Sequence, residues 1–449
     1  MTPSATVWYH AVMNTLIRDV TIIPMNIPGL FFTGDIGITS GKIAFLGDNP
    51  KNFTPDTVIE ASGMIAMPGL VNTHTHLSMV YFRNYKDSVE NLHDWLSEIW
   101  PLEDLLTTED ILPASRLGIA EMIRSGTTCF ADMYLFPETT CQAVLESGMK
   151  ANIGLTLFGG LAESRRRMHE RIPLVDPFMV SSGERIHLDI APHAIYTCPQ
   201  DTLEYARDFA KERGCRIHTH ISETVKEVQD CLNEHGVSPI AYLHRLGLLT
   251  PSIYLAHCVH PIEDDLQLIS QNHASVVHNP SSNCKLASGI APLARMRDAQ
   301  IGIALGTDGA SSNNSLDLFH DIRLASMLSA VSTGNPIAIT PFEILSMATI
   351  GGASALGRQF ECGTLEIGKD ADIILIDTRK PHLTPCNDIF SALVYSAKST
   401  DVDTVLCQGT VLMRHGLLTT IDTQEAIAST SRHWAGILGR TQHTTTQGR

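Results

Sequence analysis

Two histidines separated by a single residue, His74 and His76, follow an apolar run that ends in Pro68 and Gly69. Because side chains two positions apart on an extended strand point to the same side, both imidazoles can reach one metal ion. The pair alone fits solvated or packed histidines equally well. Four more polar residues, each placed after a strand-like run, would complete a metal site: His220, Glu223, His257 and Asp308. The complete set, and not the pair, predicts a metal centre.

Three neutral imidazoles and one carboxylate suit a borderline divalent ion, and they leave a position for water. We therefore expect one divalent metal ion per chain, with zinc as the expected ion. Water on such an ion ionises near neutral pH and becomes a hydroxide nucleophile. Asp308 is placed to hold this hydroxide and accept its proton, and its alternative role is that of a turn residue or helix N-cap.

Several positions near this set have competing interpretations. Glu223 would project beside the metal as a general acid and base, or it would be a first-turn carboxylate favoured by the helix dipole. His218 and His220 share one strand face, so either could be the ligand, and we choose His220 because it is nearer the strand end. His257 could polarise the hydroxide or stabilise the intermediate, whereas His260 lies past the turn and is assigned a supporting role.

The elements that must position these residues are short apolar runs that alternate with longer amphipathic segments, a pattern typical of βαβ units. Eight such runs occur, at residues 65–74, 127–132, 151–157, 186–193, 215–221, 253–258, 274–279 and 301–308. They predict an α/β fold with a closed, TIM-like (β/α)8 barrel. Catalytic residues of such barrels lie at the C-terminal ends of the strands. The candidate ligands stand at those ends, and His193 ends the fourth run.

The chain also divides into parts around this barrel. Short strand-like segments broken by turns occupy residues 13–66 and again 362–422, and the barrel takes residues 67–361 between them. The two β-rich parts could be two domains or one sheet built from both ends, and we favour one small composite β-sandwich. Residues 423–449 are predicted as a C-terminal helix and tail, and residues 1–12 as a disordered extension.

Four stretches have the apolar spacing of amphipathic helices. They are residues 109–125, 201–213, 316–331 and 341–357. Gly214 follows the second stretch and is predicted as its C-cap. The first two helices end where a strand run begins, as the barrel requires.

Composition limits the classes of partner. The formal charge of −16, with 43% hydrophobic and 18% charged residues, describes a globular protein and argues against binding nucleic acid or anionic membranes. No long apolar run or signal peptide is evident, so no membrane association is expected. The ten cysteines are scattered without a Cys-x-x-Cys pair, as in reduced cytoplasmic proteins. These observations predict a cytoplasmic protein with a small-molecule substrate.

Five segments resemble motifs of the amidohydrolase superfamily, specifically its branch of 5′-methylthioadenosine/S-adenosylhomocysteine deaminases: NTHTHLSM, HTHISETVKE, LAHCVH, HNPSSNCKLASGIAP and LGTDGASSNNSLDLF. The resemblance runs from about residue 14 to about residue 420. It implies that one zinc is bound by four residues, His74, His76, His220 and Asp308. It also implies that Glu223 carries a proton to the purine ring nitrogen and that His257 supports attack at C6. The amino group would leave as ammonia.

The resemblance bears on metal count and oligomeric state as well. Superfamily members with two metals usually need a bridging carboxylated lysine on the fourth strand, whereas no lysine occurs here between Lys150 and Lys211. A mononuclear site is therefore expected. Related enzymes are commonly homo-oligomers, so a homo-oligomer is expected too.

The substrate-binding residues follow from the same resemblance. It implies that Glu103 accepts hydrogen bonds from ribose hydroxyls, that His193 contacts the purine and that Trp95 packs near the sugar. Glu103 could otherwise be a helix-capping or exposed acid, and Trp95 a core residue. The family has an arginine after the third strand that helps to bind the amino-acid end of S-adenosylhomocysteine, and Leu155 stands at that position here. One arginine of residues 165–167 could supply a second such contact.

The expected function is zinc-dependent deamination of a 5′-modified adenosine nucleoside, such as 5′-methylthioadenosine or S-adenosylhomocysteine, to the inosine analogue, as in purine salvage. One alternative keeps the metal site but acts on a free base, such as guanine or a pterin, or on an s-triazine. Glu103 discriminates between them because a free base has no ribose. A second alternative is a non-catalytic binding protein on the same barrel, which the complete ligand set disfavours.

Overall fold

The computed structural model describes residues 14–88, 92–262 and 264–446. The extension predicted for residues 1–12 lies outside the described residues. Within them the strands form two sheets, a mixed terminal sheet and a parallel barrel.

The terminal sheet combines strands from both ends of the chain, in the order β17-β16-β15-β14-β5-β1-β2-β3, with β4 beside β1. The N-terminal part supplies β1 (Asn14–Ile22), β2 (Phe32–Thr39), β3 (Lys42–Gly47), β4 (Thr57–Glu60) and β5 (Met64–Pro68). The C-terminal part supplies β14 (Ile373–Asp377), β15 (Val402–Cys407), β16 (Thr410–Arg414) and β17 (Leu417–Leu418). The antiparallel pair of β5 and β14 joins the two parts. The composite origin predicted for this sheet is confirmed.

The barrel consists of eight parallel strands in sequence order. They are β6 (Leu70–Thr75), β7 (Thr127–Tyr134), β8 (Lys150–Leu157), β9 (Ile186–Pro192), β10 (Arg216–Ile221), β11 (Ile253–His257), β12 (Ser275–His278) and β13 (Gly302–Leu305). The first and last strands meet through the Asp308 N–H, which donates to the His74 carbonyl at 2.9 Å. The Thr73 hydroxyl adds a bond to the Leu305 carbonyl at 2.7 Å. Each of the eight predicted runs overlaps one barrel strand, and the barrel is nearly closed.

The first predicted run, residues 65–74, was wrong in one respect, because it comprises two strands in two different sheets. Its first residues pair with β14, and only the part from Leu70 belongs to the barrel. The change occurs at Gly69, where a Cβ atom would lie 2.2 Å from the Thr128 hydroxyl oxygen. A side chain at Gly69 would therefore prevent the chain from passing this close to β7. The boundaries predicted for the four chain segments remain predictions.

Helices follow the barrel strands along the chain. In the described residues they are α1 (Leu92–Glu103), α2 (Thr108–Arg124), α3 (Pro137–Ser147), α4 (Leu161–Ser181), α5 (Gln200–Arg213), α6 (Val225–His235), α7 (Pro239–Arg245), α8 (Asp265–Gln271), α9 (Pro280–Lys285), α10 (Leu293–Asp298), α11 (Leu318–Thr333), α12 (Pro341–Met347), α13 (Ile350–Ala355), α14 (Ile389–Ser391) and α15 (Thr423–Thr446). No helix among the described residues combines the length and the apolarity needed to cross a membrane.

Three of the four predicted helices are confirmed as α2, α5 and α11, and Gly214 caps α5 in a left-handed conformation. The fourth, residues 341–357, is interrupted, because α12 and α13 are separated at Thr349, whose φ is −129° and ψ −99°. The break lets α13 lie directly on the barrel, where a Cβ atom on Gly352 would meet the Val71 side chain at 2.8 Å. Amphipathic spacing alone does not reveal this close approach.

Candidate metal centre and active site

The C-terminal ends of three barrel strands, β6, β10 and β13, bring the four predicted metal ligands together. His76 Nε2 lies 3.2 Å from His220 Nε2 and 3.3 Å from Asp308 Oδ1. His74 Nε2 lies 3.4 Å from the same carboxylate oxygen. Two triads of potential ligand atoms, both including His74, each lie within 4.8 Å of one another; one adds His76 and Asp308, the other His220 and His257. One ion could therefore contact atoms from β6, β10 and the segment after β13.

The donor atoms of this cluster fit a divalent metal ion. His74 Nε2 is buried and has no hydrogen-bond partner among the described residues. Burial lowers the pKa of His74 to about 4 and holds the pKa of His220 well below its ordinary value. Burial alone would raise the pKa of Asp308, but the neighbouring imidazoles, His74 first, hold it well below the ordinary value. Neutral imidazoles and an ionised carboxylate are the forms that bind a metal.

The opposite nitrogen of each candidate imidazole ligand is held by a neighbouring group. His76 Nδ1 donates to the Met133 carbonyl at 2.6 Å, and His220 Nδ1 donates to the His193 carbonyl at 2.7 Å. His74 Nδ1 lies 2.8 Å from His218 Nε2. These contacts turn all three Nε2 atoms toward the cluster, an arrangement typical of metal sites. They also separate the two histidines of β10, since His220 faces the cluster and His218 supports His74.

Asp308 and His257 are fixed by side chains of one segment, α9 and its N-terminal flank. The Ser282 hydroxyl donates to Asp308 Oδ2 at 2.6 Å, and His257 Nδ1 donates to Asn283 Oδ1 at 2.8 Å. The backbone φ values of His257 and Asp308 are +76° and +64°, in the left-handed region that non-glycine residues rarely adopt. Strained backbone that is retained and well supported is typical of functional sites.

Glu223 is buried beside the ligand cluster. Its side chain is 4% exposed, and Oε1 accepts a hydrogen bond from the Ser288 hydroxyl at 3.1 Å. Oε2 lies 3.7 Å from His257 Nε2. Burial raises the pKa of Glu223 above its ordinary value. Burial alone would lower the pKa of His257, but the carboxylates of Glu223 and Asp308 raise it. Glu223 and His257 therefore both retain a proton at higher pH than exposed groups of the same type, next to the candidate metal ligands.

A cavity of about 560 Å³ opens above this group. Glu103, Trp95 and His193 line it together with Glu223 and His76. Burial raises the pKa of Glu103 and lowers the pKa of His193 to about 3. Trp95 is buried, and its indole nitrogen has no hydrogen-bond partner among the described residues. The structure thus brings all three residues predicted for substrate binding to the same cavity as the metal ligands.

A smaller cavity of about 250 Å³ adjoins the first at Glu103. Leu155, Arg166 and Arg167 line it, whereas Arg165 lies over the Tyr205 ring, 5.4 Å from its centroid. Arg166 pairs with Glu170 at 3.0 Å and Arg167 with Glu163 at 2.9 Å, so their charges are neutralised by neighbouring helix residues.

Lys150 is the lysine that precedes the predicted fourth barrel strand, and it lies at the opposite end of the barrel from the candidate metal ligands. Lys150 begins β8 and therefore stands at the N-terminal end of the barrel, opposite the site. Its Nζ donates to Asp370 at 2.6 Å and to Asp372 at 2.8 Å. Its position agrees with the expected mononuclear site, which remains a prediction.

Among the residues that contact candidate site residues and were not predicted from the sequence are His218, a partner of His74, and Ser282, Asn283 and Ser288. The last three lie in the segment HNPSSNCKLASGIAP, directly after a strand end. A polar run at that end of a barrel strand is a signal that could have assigned them. No sequence feature indicates that the Nδ1 atom of His74 contacts His218.

Known proteins resemble this chain in sequence and in fold. Residues 65–412 match the profile of the Amidohydrolase family. A 5-methylthioadenosine/S-adenosylhomocysteine deaminase of Moorella thermoacetica is 42% identical over 421 residues, which are 93% of this chain and 98% of that protein. A 5′-deoxyadenosine deaminase of Methanobrevibacter smithii is 42% identical over 415 residues, covering 91% and 95%.

A solved structure agrees with the sequence comparisons. The crystal structure of an adenosine deaminase from Xanthomonas campestris with bound zinc aligns with a TM-score of 0.89 and 31% identity, covering 94% of this chain and 98% of that one. Because the family profile spans most of the chain and both sequence relatives align over nearly their whole length, the chain belongs to the amidohydrolase family.

Proposed function

We propose that this protein is a hydrolytic deaminase that replaces the 6-amino group of a 5′-modified adenosine with oxygen, releasing ammonia and the inosine analogue. The observation that carries the proposal is the position of Glu223 and His257 beside the ligand cluster, in a cavity that also contains Glu103. The two sequence relatives are named as deaminases of such nucleosides. Adenosine, 5′-deoxyadenosine, 5′-methylthioadenosine and S-adenosylhomocysteine are the candidate substrates.

The metal site supports this chemistry. His74, His76, His220 and Asp308 would hold one divalent ion, and their nitrogen and oxygen donors together with the zinc-containing crystal structure favour zinc. A divalent ion bound there supplies a water molecule acidic enough to lose its proton near neutral pH. The protein's part is to present neutral imidazoles, an ionised carboxylate and a cavity for the substrate.

The proton steps follow from the neighbouring groups. Asp308 accepts a proton from the attacking water, and Glu223 donates one to the purine ring nitrogen while the new C–O bond forms at C6. Because burial raises the pKa of Glu223, its carboxyl can carry a proton nearer neutral pH than an exposed glutamate can. The proton that Asp308 took from the water passes to the amino nitrogen, so ammonia leaves as the C–N bond breaks. Glu223 regains its proton from the new C6 hydroxyl as the C6=O bond forms. His257 stabilises the negative charge that develops on the oxygen.

The cavity residues orient the nucleoside. Glu103 accepts hydrogen bonds from the ribose hydroxyls, His193 contacts the purine, and Trp95 forms an apolar wall near the sugar. The adjoining smaller cavity receives the 5′ substituent. These contacts would place C6 of the purine, and not the ribose, next to the metal ligands.

The first test replaces the proton carrier. Glu223→Gln keeps the shape of the side chain but cannot exchange a proton, so we expect turnover to fall by about 100-fold or more. Glu223 is not among the expected ligands, so metal content should stay at the wild-type level. Ammonia release and elemental analysis on the same sample measure both quantities. An unimpaired Glu223→Gln enzyme would show that Glu223 does not have the proposed role.

A free base or an s-triazine is the main alternative substrate, because the metal ligands and Glu223 could act on any cyclic amidine. Glu103 distinguishes the two possibilities, since only a nucleoside offers ribose hydroxyls. We expect Glu103→Ala to raise the KM for nucleosides about 10-fold or more, which corresponds to the loss of charge-assisted hydrogen bonds. Activity toward free bases should not depend on Glu103. Equal effects on nucleosides and bases would favour the alternative.

The cellular setting is part of the same proposal. The ten free cysteines favour a cytoplasmic enzyme, and the formal charge of −16 favours a small-molecule partner over nucleic acid or an anionic membrane. A role in purine salvage follows from the proposed purine nucleoside substrates. A homo-oligomer is proposed from the behaviour of related enzymes. Size-exclusion chromatography with light scattering would test the oligomeric state.

A further inference from the structure

The short connection between β10 and α6 carries Glu223 and has an unusual backbone. Ser222, the residue directly before Glu223, has a φ of +50°, in the left-handed region. A side chain makes this conformation unfavourable unless other contacts hold it. The direction in which Glu223 leaves the strand depends on this turn.

Glu227 holds the turn from inside the protein. Its side chain is 4% exposed, and its two oxygens each accept one backbone N–H, from Ser222 at 2.9 Å and from Glu223 at 2.8 Å. From the other side, the His260 N–H donates to the Ser222 carbonyl at 2.9 Å. Both polar groups of the Ser222 backbone are thus paired. The backbone of Glu223 is fixed through its own N–H.

Other helices in the same chain show that this use of a carboxylate is not ordinary helix capping. In a capping box, the acid at the third helical position bonds the N–H of the N-cap residue. Asp110 does so for Thr107 at 2.8 Å, and Glu343 does so for Thr340 at 2.7 Å. Glu227 occupies the same position in α6, after the N-cap Thr224. Its carboxylate instead reaches the two residues before the N-cap.

We propose that Glu227 is a positioning residue for Glu223: its carboxylate fixes the left-handed turn at Ser222 and so aims the Glu223 side chain at the reacting atoms. The inference rests on the proposed role of Glu223 as the proton carrier. Glu227 itself does not touch substrate or the metal ligands. A misplacement of about 1 Å at a catalytic group costs about 100-fold in rate. The loss of this support should therefore appear in kcat.

The test compares two identical chemical changes. Glu227→Gln retains one acceptor oxygen but places an NH2 group against a backbone N–H, so one of the two bonds is lost. We expect kcat to fall about 10- to 100-fold, with KM within about 3-fold of wild type and metal content unchanged. Glu343→Gln makes the same change in an ordinary capping box on α12. This control should lower the melting temperature while leaving kcat at the wild-type value.

Several outcomes would overturn the proposal. They are a wild-type kcat for folded, metal-loaded Glu227→Gln, a rise in KM without a fall in kcat, or an equal fall in kcat for Glu343→Gln. If Glu227→Gln does not fold, the double variant Ser222→Gly, Glu227→Gln replaces it, because glycine adopts the left-handed turn without strain. A low kcat in the folded double variant supports the positioning role of Glu227. A wild-type kcat shows that Glu227 only offsets the strain of the left-handed backbone at Ser222.

The inference and the proposed function can fail separately. If wild-type protein releases no ammonia from any nucleoside, the proposed function fails. If wild type is active and Glu223→Gln is inactive while Glu227→Gln retains full kcat, only the positioning role fails.

Discussion

At the scale of single residues, strand-end position predicted which side chains the structure brings together as candidate metal ligands, but it did not predict the contacts that support them. The spacing of His74 and His76 placed both on one strand face, and the structure brings both to Asp308. By their spacing alone, His218 and His220 were equally good candidates for the metal ligand. The structure separates them because His218 Nε2 lies 2.8 Å from His74 Nδ1, a contact between two strands that are not neighbours in the barrel.

His218 should therefore affect metal affinity without binding the metal. His218→Leu leaves His74 Nδ1 without its partner, and the loss of such an outer contact typically weakens metal binding about 10- to 100-fold. Competition with a chromophoric chelator measures the affinity. Tyr254→Phe is the control, because Tyr254 stacks on His218 but its hydroxyl bonds Asp189 instead. Wild-type affinity in His218→Leu would contradict this role.

At the scale of elements, the eight barrel strands were predictable because each is a short, buried apolar run between turns. The errors lie where tertiary packing decides. The run at residues 65–74 is continuous in sequence but is divided at Gly69, since β5 pairs with the terminal sheet. The segment at 341–357 is broken at Thr349 because α13 packs against the barrel. The local sequence pattern carries no information about either packing partner, the terminal sheet for β5 or the barrel for α13.

A buried ion pair joins the barrel to the terminal sheet and makes the two interdependent. Lys150 of β8 contacts Asp370 and Asp372, which precede β14. Lys150→Met leaves two carboxylates without their buried cation, so the free energy of unfolding should fall by about 3–5 kcal/mol. Urea unfolding followed by circular dichroism measures this change.

The control for Lys150→Met is Lys42→Met, because both lysines contact the carboxylate of Asp370. Lys42 contacts Asp370 at 2.8 Å, but its side chain is 59% exposed, so Lys42→Met should cost about 1 kcal/mol or less. Equal effects of the two substitutions would show that the buried pair does not link the sheet and the barrel.

At the scale of the whole molecule, the terminal sheet contacts the N-terminal end of barrel strand β8 through Lys150, whereas the candidate site lies at the C-terminal ends of the barrel strands. The fold class and the ligand cluster follow from alternating strand and helix patterns and from polar strand ends. The shape of the substrate cavity does not, because Glu103 and Trp95 come from α1, outside the strand pattern. Leu155, Arg166 and Arg167 line the smaller cavity, in which we propose that the 5′ substituent lies.

The most direct test of the central claim is ammonia release by zinc-loaded protein. The panel contains 5′-methylthioadenosine, S-adenosylhomocysteine, 5′-deoxyadenosine, adenosine, guanine and an aminotriazine, and metal content is measured on the same sample. A deaminase with Glu103 at the ribose should release ammonia from the adenosine compounds and not from guanine or the triazine. Ammonia from only the free base or the triazine would contradict the nucleoside assignment while leaving the metal chemistry intact.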